Sequence, residues 1–190
     1  MRHFSFRPSF TLRGRANKGL RGLAGKPLHP PLTDVPIAGY LFGAVFDVLS
    51  LVLRDAHPHT ADQLYAAAGW TFLGGAVVSL LAALTGAVDW AKSSEPGTQA
   101  RRTINAHALI MITVTGLVLV DLVTRFGAYD ARTSAPPLVV VLSVASAGLV
   151  GLGATLGGSL VFDYGFNVET AGDHPVWHPN DTDVLPGDHH

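Results

Sequence analysis

The chain alternates four long apolar stretches with short polar ones. The apolar runs cover residues 36–53, 66–88, 104–123 and 137–162. As helices that rise about 1.5 Å per residue, runs of this length can cross a hydrocarbon core of about 30 Å. They do not fit a β-barrel, whose strands alternate in segments of about ten residues. The pattern therefore predicts an all-α membrane protein with four transmembrane helices.

The segments between these runs are short and contain charged residues, proline or glycine. They cover residues 54–65, 89–103 and 125–136. Such short connections require each helix to run antiparallel to its neighbour along the chain. We therefore expect an antiparallel four-helix transmembrane bundle with both termini on the same side of the membrane.

Composition supports a membrane protein and excludes several kinds of chemistry. The 190 residues are 48% hydrophobic and only 14% charged, which is too apolar for an ordinary soluble domain. The chain has no cysteine. Disulfides, thiolate metal sites, cysteine-ligated iron–sulfur clusters and cysteine nucleophiles are therefore excluded. The sequence also lacks recognisable hydrolase or nucleotide-binding motifs, so we do not expect the chain to be an enzyme on its own.

Charge is distributed unevenly along the chain. Residues 1–33 contain seven Lys or Arg and no acid, whereas residues 163–190 contain six acids and no Lys or Arg. We therefore predict a basic arm at 1–33, a membrane domain at 34–165 and an acidic tail, rich in His and Pro, at 166–190. The arm interleaves Phe with its basic residues, a pattern that suits an anionic lipid surface better than nucleic acid.

Basic residues near span ends also predict the orientation. With the N-terminus inside, the cytoplasmic side has ten Lys or Arg, namely the seven of the arm with Lys92, Arg101 and Arg102. The outer side then has three, at Arg54, Arg125 and Arg132. Because basic residues are retained on the cytoplasmic side, we predict a plasma-membrane protein with both termini in the cytoplasm.

Small residues recur at every fourth position in two spans. The second span has Gly75, Ser79 and Ala83, and the fourth has a ladder of five, Ser143, Ala147, Gly151, Thr155 and Ser159. Small residues let helix backbones approach closely in a membrane, so these ladders predict the packing faces.

Polar residues gather at the predicted cytoplasmic ends of the first three spans. They form a layer of eight residues: His29, Asp34, Asp89, Trp90, Arg101, Arg102, Asn105 and His107. Gly157 and Gly158 end the fourth span on the same side. Because four separate segments converge there, we interpret this layer as the candidate site.

Two histidines of this layer suggest a cofactor. His107 lies about one turn inside the third span, where an ionisable group needs a partner or a function. His29 could face it across the bundle. Two imidazoles from separate helices are what a b-type haem needs as axial ligands, and the same pair could line a quinone pocket. The alternative is structural: His29 binds lipid phosphate or main chain, and His107 binds Asn105, Asp34 or a carbonyl.

Two acids lie deeper in the predicted membrane. Asp47 shares a helix stripe with Arg54 and has either Arg54 or a polar group of another helix as its partner. Asp121 lies on nearly the same helix face as His107. A proton-coupled transporter or channel would use these acids as a pathway, but we favour a structural, hydrogen-bonded role for both.

The tail has four histidines, His174, His178, His189 and His190. Prolines prevent a regular helix there, so His174 and His178 do not form a metal pair one turn apart. We expect a solvated tail, with loose binding of divalent metal as the alternative.

Four blocks of sequence resemble the bacterial membrane-protein family known as domain of unknown function 2231. They are PLHPPLTDVPIAGYLFG at 27–43, TGAVDW at 85–90, RRTINAHALI at 101–110 and GGSLVFDYGFNVE at 157–169. The resemblance implies four helices without an established activity. Some relatives in this family carry a fused Rieske-type iron–sulfur domain, which implies redox chemistry. This chain has no cysteine and so lacks such a domain.

Three functions follow from these observations. We rank first an accessory or scaffold subunit of a membrane complex, whose arm and tail recruit a partner. A small redox subunit that binds b-type haem or quinone near the cytoplasmic face ranks second. A proton-coupled transporter or channel ranks third.

Overall fold

Four long helices account for most of the structure. The computed structural model describes residues 19–21 and 27–168. Most of the predicted basic arm and almost all of the acidic tail therefore lie outside the described residues. The helices are α1 (His29–Leu53), α2 (Pro58–Ser93), α3 (Gln99–Val123) and α4 (Pro137–Phe162), and a π-helical segment (Thr124–Ala128) directly follows α3. All four are long and apolar enough to cross a membrane, which confirms the predicted all-helical class.

Proline determines where three of the helices begin. Pro30, Pro58 and Pro137 each lie in the first turn of a helix. Proline is favoured there because its fixed φ suits a helix and the first amides have no partner within the helix. α3 begins differently: the Thr98 side chain accepts a hydrogen bond from the Arg101 amide at 3.1 Å and so caps the helix.

Contacts between helix ends show that neighbouring helices are antiparallel. Ser50, near the end of α1, donates a hydrogen bond to the Ala61 carbonyl near the start of α2. The same hydroxyl accepts from the Ala135 amide, just before α4. α1 packs most extensively against α2, and α3 against α4, whereas α2 and α3 make the least contact among neighbouring helices. The bundle thus has one end where α1 and α3 begin and another where they finish.

Buried positions follow a heptad spacing, alternating three and four residues. In α1 this stripe is Pro36, Tyr40, Gly43, Asp47 and Ser50, and in α4 it is Val139, Ser143, Ser146, Val150, Gly153 and Leu160. Heptad spacing keeps one face of a helix against its neighbours in a bundle whose helices cross at about 20°. Several of the buried stripe residues are polar, so the interior is not uniformly apolar.

The predicted ladders of small residues are only partly right. Gly75 does lie in the α1–α2 contact, where a Cβ would meet the Tyr40 ring at 2.9 Å. In α4, by contrast, Ser143 is buried but Thr155 is exposed, and a Cβ on Gly151 would meet nothing within 4 Å. Steps of four residues advance about 40° beyond a full turn, so such a ladder rotates away from the packing face.

A buried group of three charged residues joins α1 to the end of α3. Arg125 donates two parallel hydrogen bonds to Asp47, from Nη1 to Oδ1 at 2.9 Å and from Nη2 to Oδ2 at 2.7 Å. Its Nε and Nη2 also donate to Asp121 Oδ2 at 3.2 and 3.1 Å. The arginine side chain is only 2% exposed and both aspartates are fully buried. Each charge is therefore satisfied inside the protein.

This arrangement decides between the two partners considered for Asp47. Its partner is Arg125 of another helix, whereas Arg54 lies near Asp55 at 3.5 Å. The prediction that Arg125 belongs to a connecting segment is wrong, because the π-helical segment continues α3 and turns its side chain into the bundle. Both carboxylates are occupied by one guanidinium, an arrangement that favours a structural role over a proton pathway.

Replacing Arg125 should destabilise the bundle strongly. Arg125→Met leaves two buried carboxylates without a counter-charge, and breaking a buried ion pair in this way costs about 3–5 kcal/mol. We expect that loss in the free energy of unfolding, measured by titrating the protein in mild detergent with a denaturing one. The control Arg132→Met removes an exposed arginine and should change it by less than about 1 kcal/mol. Equal stability of the two variants would contradict the assigned role of Arg125.

The predicted orientation can be tested cleanly because the chain has no native cysteine. Single cysteines at Glu95 and Asp55 lie at exposed sites in connections at opposite ends of the bundle. With both termini inside, a membrane-impermeant maleimide should label Asp55→Cys in intact cells and Glu95→Cys only after permeabilisation. The reverse labelling pattern would show that the basic-residue count predicts the wrong orientation.

Candidate functional site

His29 opens α1 and is held by α2. Its Nδ1 lies 2.8 Å from the carbonyl oxygen of Ala82 and 3.5 Å from the Thr85 hydroxyl. The imidazole lies against Gly86, where a Cβ would approach Cε1 to 2.8 Å and Nδ1 to 3.0 Å. Only glycine leaves room for the ring at this point, so the sequence of α2 provides both the anchor and the space.

His107 is held in a matching way by α4. Its Nδ1 lies 2.8 Å from the carbonyl oxygen of Gly153, and a Cβ on Gly157 would lie 3.5 Å from its Cε1. Of the structural partners considered for His107, the main-chain carbonyl is the one observed. Neither Asn105 nor Asp34 hydrogen-bonds to it.

The two histidine rings meet inside this end of the bundle. Their centroids are 6.4 Å apart and their planes are nearly perpendicular, at 88°. A carbonyl oxygen can only accept a hydrogen bond, so each Nδ1 carries a proton, and a ring in its neutral form keeps a lone pair on Nε2. Within the part of the chain that the structure describes, no hydrogen bond reaches either Nε2. We refer to His29 and His107 as the histidine pair.

A buried carboxyl lies one turn beyond the histidine pair on α2. Asp89 shares a helix face with Thr85 and Gly86 and is only 6% exposed. The backbone amide of Leu20 donates to it, while its Oδ1 has no hydrogen-bond partner among residues 19–21 and 27–168. Asp89 therefore adds a polar group that is not fully satisfied to the same end of the bundle.

Three other residues of the predicted layer form a separate cluster between α2 and α3. The Trp90 indole donates to Asn105 Oδ1 at 2.9 Å. The Arg101 guanidinium lies 3.8 Å above the Trp90 ring and donates to the Trp90 carbonyl at 2.9 Å. This cluster ties the end of α2 to the start of α3 and makes no hydrogen bond to the histidine pair.

The remaining two residues also point elsewhere. Arg102 donates to Gln99 Oε1 at 2.8 Å and to the Gly97 carbonyl at 3.2 Å, both in the α2–α3 connection or just after it. Asp34 is exposed on α1. Of the eight predicted residues, the structure thus brings His29 and His107 together, with Asp89 buried nearby.

Sequence reasoning missed the groups that hold the histidines. These are main-chain carbonyls of α2 and α4 and the glycines Gly86 and Gly157, which have no chemistry of their own to attract notice. The available signal was the heptad spacing. His29 lies seven residues before the buried Pro36, and Gly86 lies four residues after the buried Ala82 and three before the buried Asp89.

The pair can provide two imidazole nitrogens but not a complete protein cage for a metal ion. Among the described residues, no group of three or more His, Asp or Glu side chains is placed to hold a metal. The histidine pair therefore suits a ligand that takes only two nitrogen donors from the protein.

The glycine beneath His29 provides a test of this geometry. Gly86→Ala should push the ring off its anchor on Ala82 and destabilise the protein by about 1–3 kcal/mol, as overpacking does. The matched control is Gly116→Ala in α3, where a Cβ meets nothing within 4 Å and helix propensity favours alanine. Thermal unfolding in detergent checks both variants, and a Gly86→Ala protein as stable as the control would contradict the described contact.

Comparison with known proteins identifies the family but gives no activity. Neither the curated proteins nor the solved structures contain a match to this chain. A family model described as predicted membrane protein, DUF2231, matches residues 25–170, which include all four helices and the histidine pair. The chain therefore belongs to the DUF2231 family of predicted membrane proteins.

Proposed function

We propose that this protein is a small redox subunit of the membrane in which His29 and His107 are the axial ligands of a b-type haem. The observation that carries the proposal is the anchoring of both Nδ1 atoms on main-chain carbonyls, at 2.8 Å each. Histidines that bind metals almost always donate their other ring N–H to a carbonyl, a carboxylate or water. Such a bond fixes the tautomer and turns the lone pair of Nε2 toward the metal.

The spacing of the rings supports two ligands on one iron. Imidazoles that bind a metal from opposite sides, at about 2 Å per metal–nitrogen bond, have centroids about 6 Å apart. The observed separation is 6.4 Å. Opposite coordination also permits perpendicular ring planes, as found here at 88°. The separation of the two rings therefore fits ligation of a single iron.

Haem suits a site with only two protein ligands because the porphyrin supplies the other four nitrogens. The helices on either side of the histidine pair have small residues at this level, Ala82 and Gly86 in α2 and Gly153 and Gly157 in α4. The His29 and His107 rings fill the space beside Gly86 and Gly157, and Met111 fills that beside Gly153, so the helices must separate to admit a macrocycle.

The residues around the pair have distinct roles in this proposal. A bound haem would supply one-electron chemistry, and the protein sets its ligands, its orientation and its electrostatic environment. The buried Asp89 carboxylate, when ionised, would stabilise positive charge at such a cofactor. An electron carrier must exchange electrons with another protein, which is in line with the accessory role predicted from sequence.

The proposal predicts a coloured protein. Protein purified from haem-replete cells, or mixed with hemin after purification, should show a Soret band and the reduced-minus-oxidised spectrum of a low-spin b-type haem. His29→Ala and His107→Ala each remove one axial ligand and should abolish the low-spin spectrum. Absorption spectroscopy of the three proteins makes the measurement.

A matched histidine control comes from the opposite end of the bundle. His59→Ala removes an exposed histidine at the start of α2 and should leave the spectrum unchanged. Far-UV circular dichroism and size-exclusion chromatography verify that each variant is folded. Wild-type protein that takes up no haem by either route, or a His107→Ala spectrum identical to wild type, rules out the proposal.

A further inference from the structure

Three basic residues lie at the end of the bundle where α2 finishes and α3 begins. Lys92 is in the last turn of α2, and Arg101 and Arg102 are in the first turn of α3. Glu95 is the one acid in the connection between them. In the part of the chain that the structure describes, no carboxylate lies within ion-pair distance of any of the three. This end of the bundle therefore has positive charge that the described residues do not neutralise.

The Arg101 side chain is held in one orientation. Its guanidinium lies 3.8 Å from the centroid of the Trp90 ring, and its Nη1 donates to the Trp90 carbonyl at 2.9 Å and to the Ser94 hydroxyl. These contacts occupy one face and one nitrogen of the group. Nε and Nη2 make no hydrogen bond to any described residue. Arg101 therefore presents two adjacent N–H groups, the geometry that pairs with two oxygens of a phosphate.

Asn105 adds a neutral donor beside Arg101. The residue is exposed and lies four positions after Arg101, on the same face of α3. The Trp90 indole donates to its Oδ1 at 2.9 Å, which fixes the orientation of the amide and turns Nδ2 away from the indole. Nδ2 has no hydrogen-bond partner among the described residues. Arg101 and Asn105 can therefore donate to the same group.

The surface of α3 beyond these donors is apolar. Leu109, Ile112 and Leu119 follow Asn105 along one face of the helix, and each is more than half exposed. Because α3 is long and apolar enough to cross a membrane, side chains exposed on this face contact acyl chains. We refer to these three residues as the α3 strip. A ligand of Arg101 and Asn105 therefore lies directly beside a surface for acyl chains.

We propose that Arg101 and Asn105 bind the phosphate of an anionic phospholipid. Nε and Nη2 of Arg101 and Nδ2 of Asn105 donate to the phosphate oxygens, and the acyl chains lie along the α3 strip. Lys92 and Arg102 add positive charge at the same end of the bundle. Trp90, which is partly exposed, suits the level between headgroups and acyl chains, where tryptophan is enriched in membrane proteins.

Other ligands fit this arrangement less well. A free phosphate matches the donors but makes no use of the α3 strip. A zwitterionic lipid has the same phosphate, but its quaternary ammonium adds a positive charge close to basic residues that no described carboxylate neutralises. An acidic segment of another protein would have to lie against the α3 strip, where its own charges and main chain are unfavourable. The charge and the apolar surface together therefore favour an anionic lipid.

This inference does not depend on the haem proposal. Within the described ranges, neither Arg101 nor Asn105 makes a hydrogen bond to the histidine pair. Variants of Arg101 should therefore leave any haem spectrum unchanged, and His29→Ala should leave the preference for anionic lipid unchanged.

Fluorescence quenching by brominated phospholipid tests the inference. The chain has three tryptophans, so Trp70→Phe together with Trp177→Phe leaves Trp90 as the reporter. This protein is reconstituted in phosphatidylcholine vesicles that contain an equal small fraction of either phosphatidylglycerol or phosphatidylcholine brominated near the carboxyl end of one acyl chain. Quenching relative to unbrominated vesicles gives the relative affinity of the two lipids for the surface around Trp90. We expect a preference for phosphatidylglycerol of about fivefold or more.

Substitutions in the reporter protein separate a defined site from diffuse attraction. Arg101→Gln should lower the preference about fivefold, the effect of one basic residue near an anionic surface. Asn105→Ala changes no charge and should still lower it about threefold, the effect of one hydrogen bond. The control Arg132→Gln removes an exposed arginine at the opposite end of the bundle and should leave it unchanged.

Inorganic phosphate at constant ionic strength distinguishes the lipid from a free anion and should not reduce the preference. Equal affinity for the two lipids overturns the inference, as does a preference in Arg101→Gln equal to that in Arg132→Gln. An unchanged preference in Asn105→Ala would show diffuse attraction without a site, and displacement by inorganic phosphate would show a site for a free anion. Either result also overturns the inference.

Discussion

A polar side chain in a hydrocarbon layer has no water to bind, so the protein itself must satisfy it, and this requirement shapes the whole bundle. Arg125 satisfies Asp47 and Asp121 together. Carbonyls of α2 and α4 satisfy Nδ1 of His29 and His107. Most serines and threonines within the helices donate to a carbonyl three or four residues earlier, which satisfies the hydroxyl within its own helix.

The two ends of the bundle meet this requirement differently. At one end the group of three charges leaves no carboxylate oxygen or guanidinium free to act on a ligand, and it links α1 to α3 across the bundle. At the other end, within the described part of the chain, each imidazole is anchored through one nitrogen only and the Asp89 Oδ1 has no hydrogen-bond partner. The structural group of Arg125, Asp47 and Asp121 and the candidate ligand site at the histidine pair therefore lie at opposite ends of the bundle.

The length and apolar character of the four runs were sufficient to predict the helices, because a membrane span has a strong compositional signature. Placing helix ends on one side allowed His29 to face His107 but did not predict that their rings would lie 6.4 Å apart. The sequence did not predict Arg125 as the partner of Asp47. The π-helical segment that turns Arg125 inward has the composition of a polar connection between helices. Trp90, Arg101 and Asn105 were grouped with the histidines by depth alone, and depth does not reveal which side of a helix they face.

Electron paramagnetic resonance of the oxidised, haem-loaded protein tests the central claim most directly, because it reports the axial ligands of the iron. Two imidazoles whose planes lie at 88° should give a low-spin ferric signal with the strong anisotropy of perpendicular ligand planes. A high-spin signal, or a low-spin signal that persists without change in His29→Ala, would contradict ligation by the histidine pair.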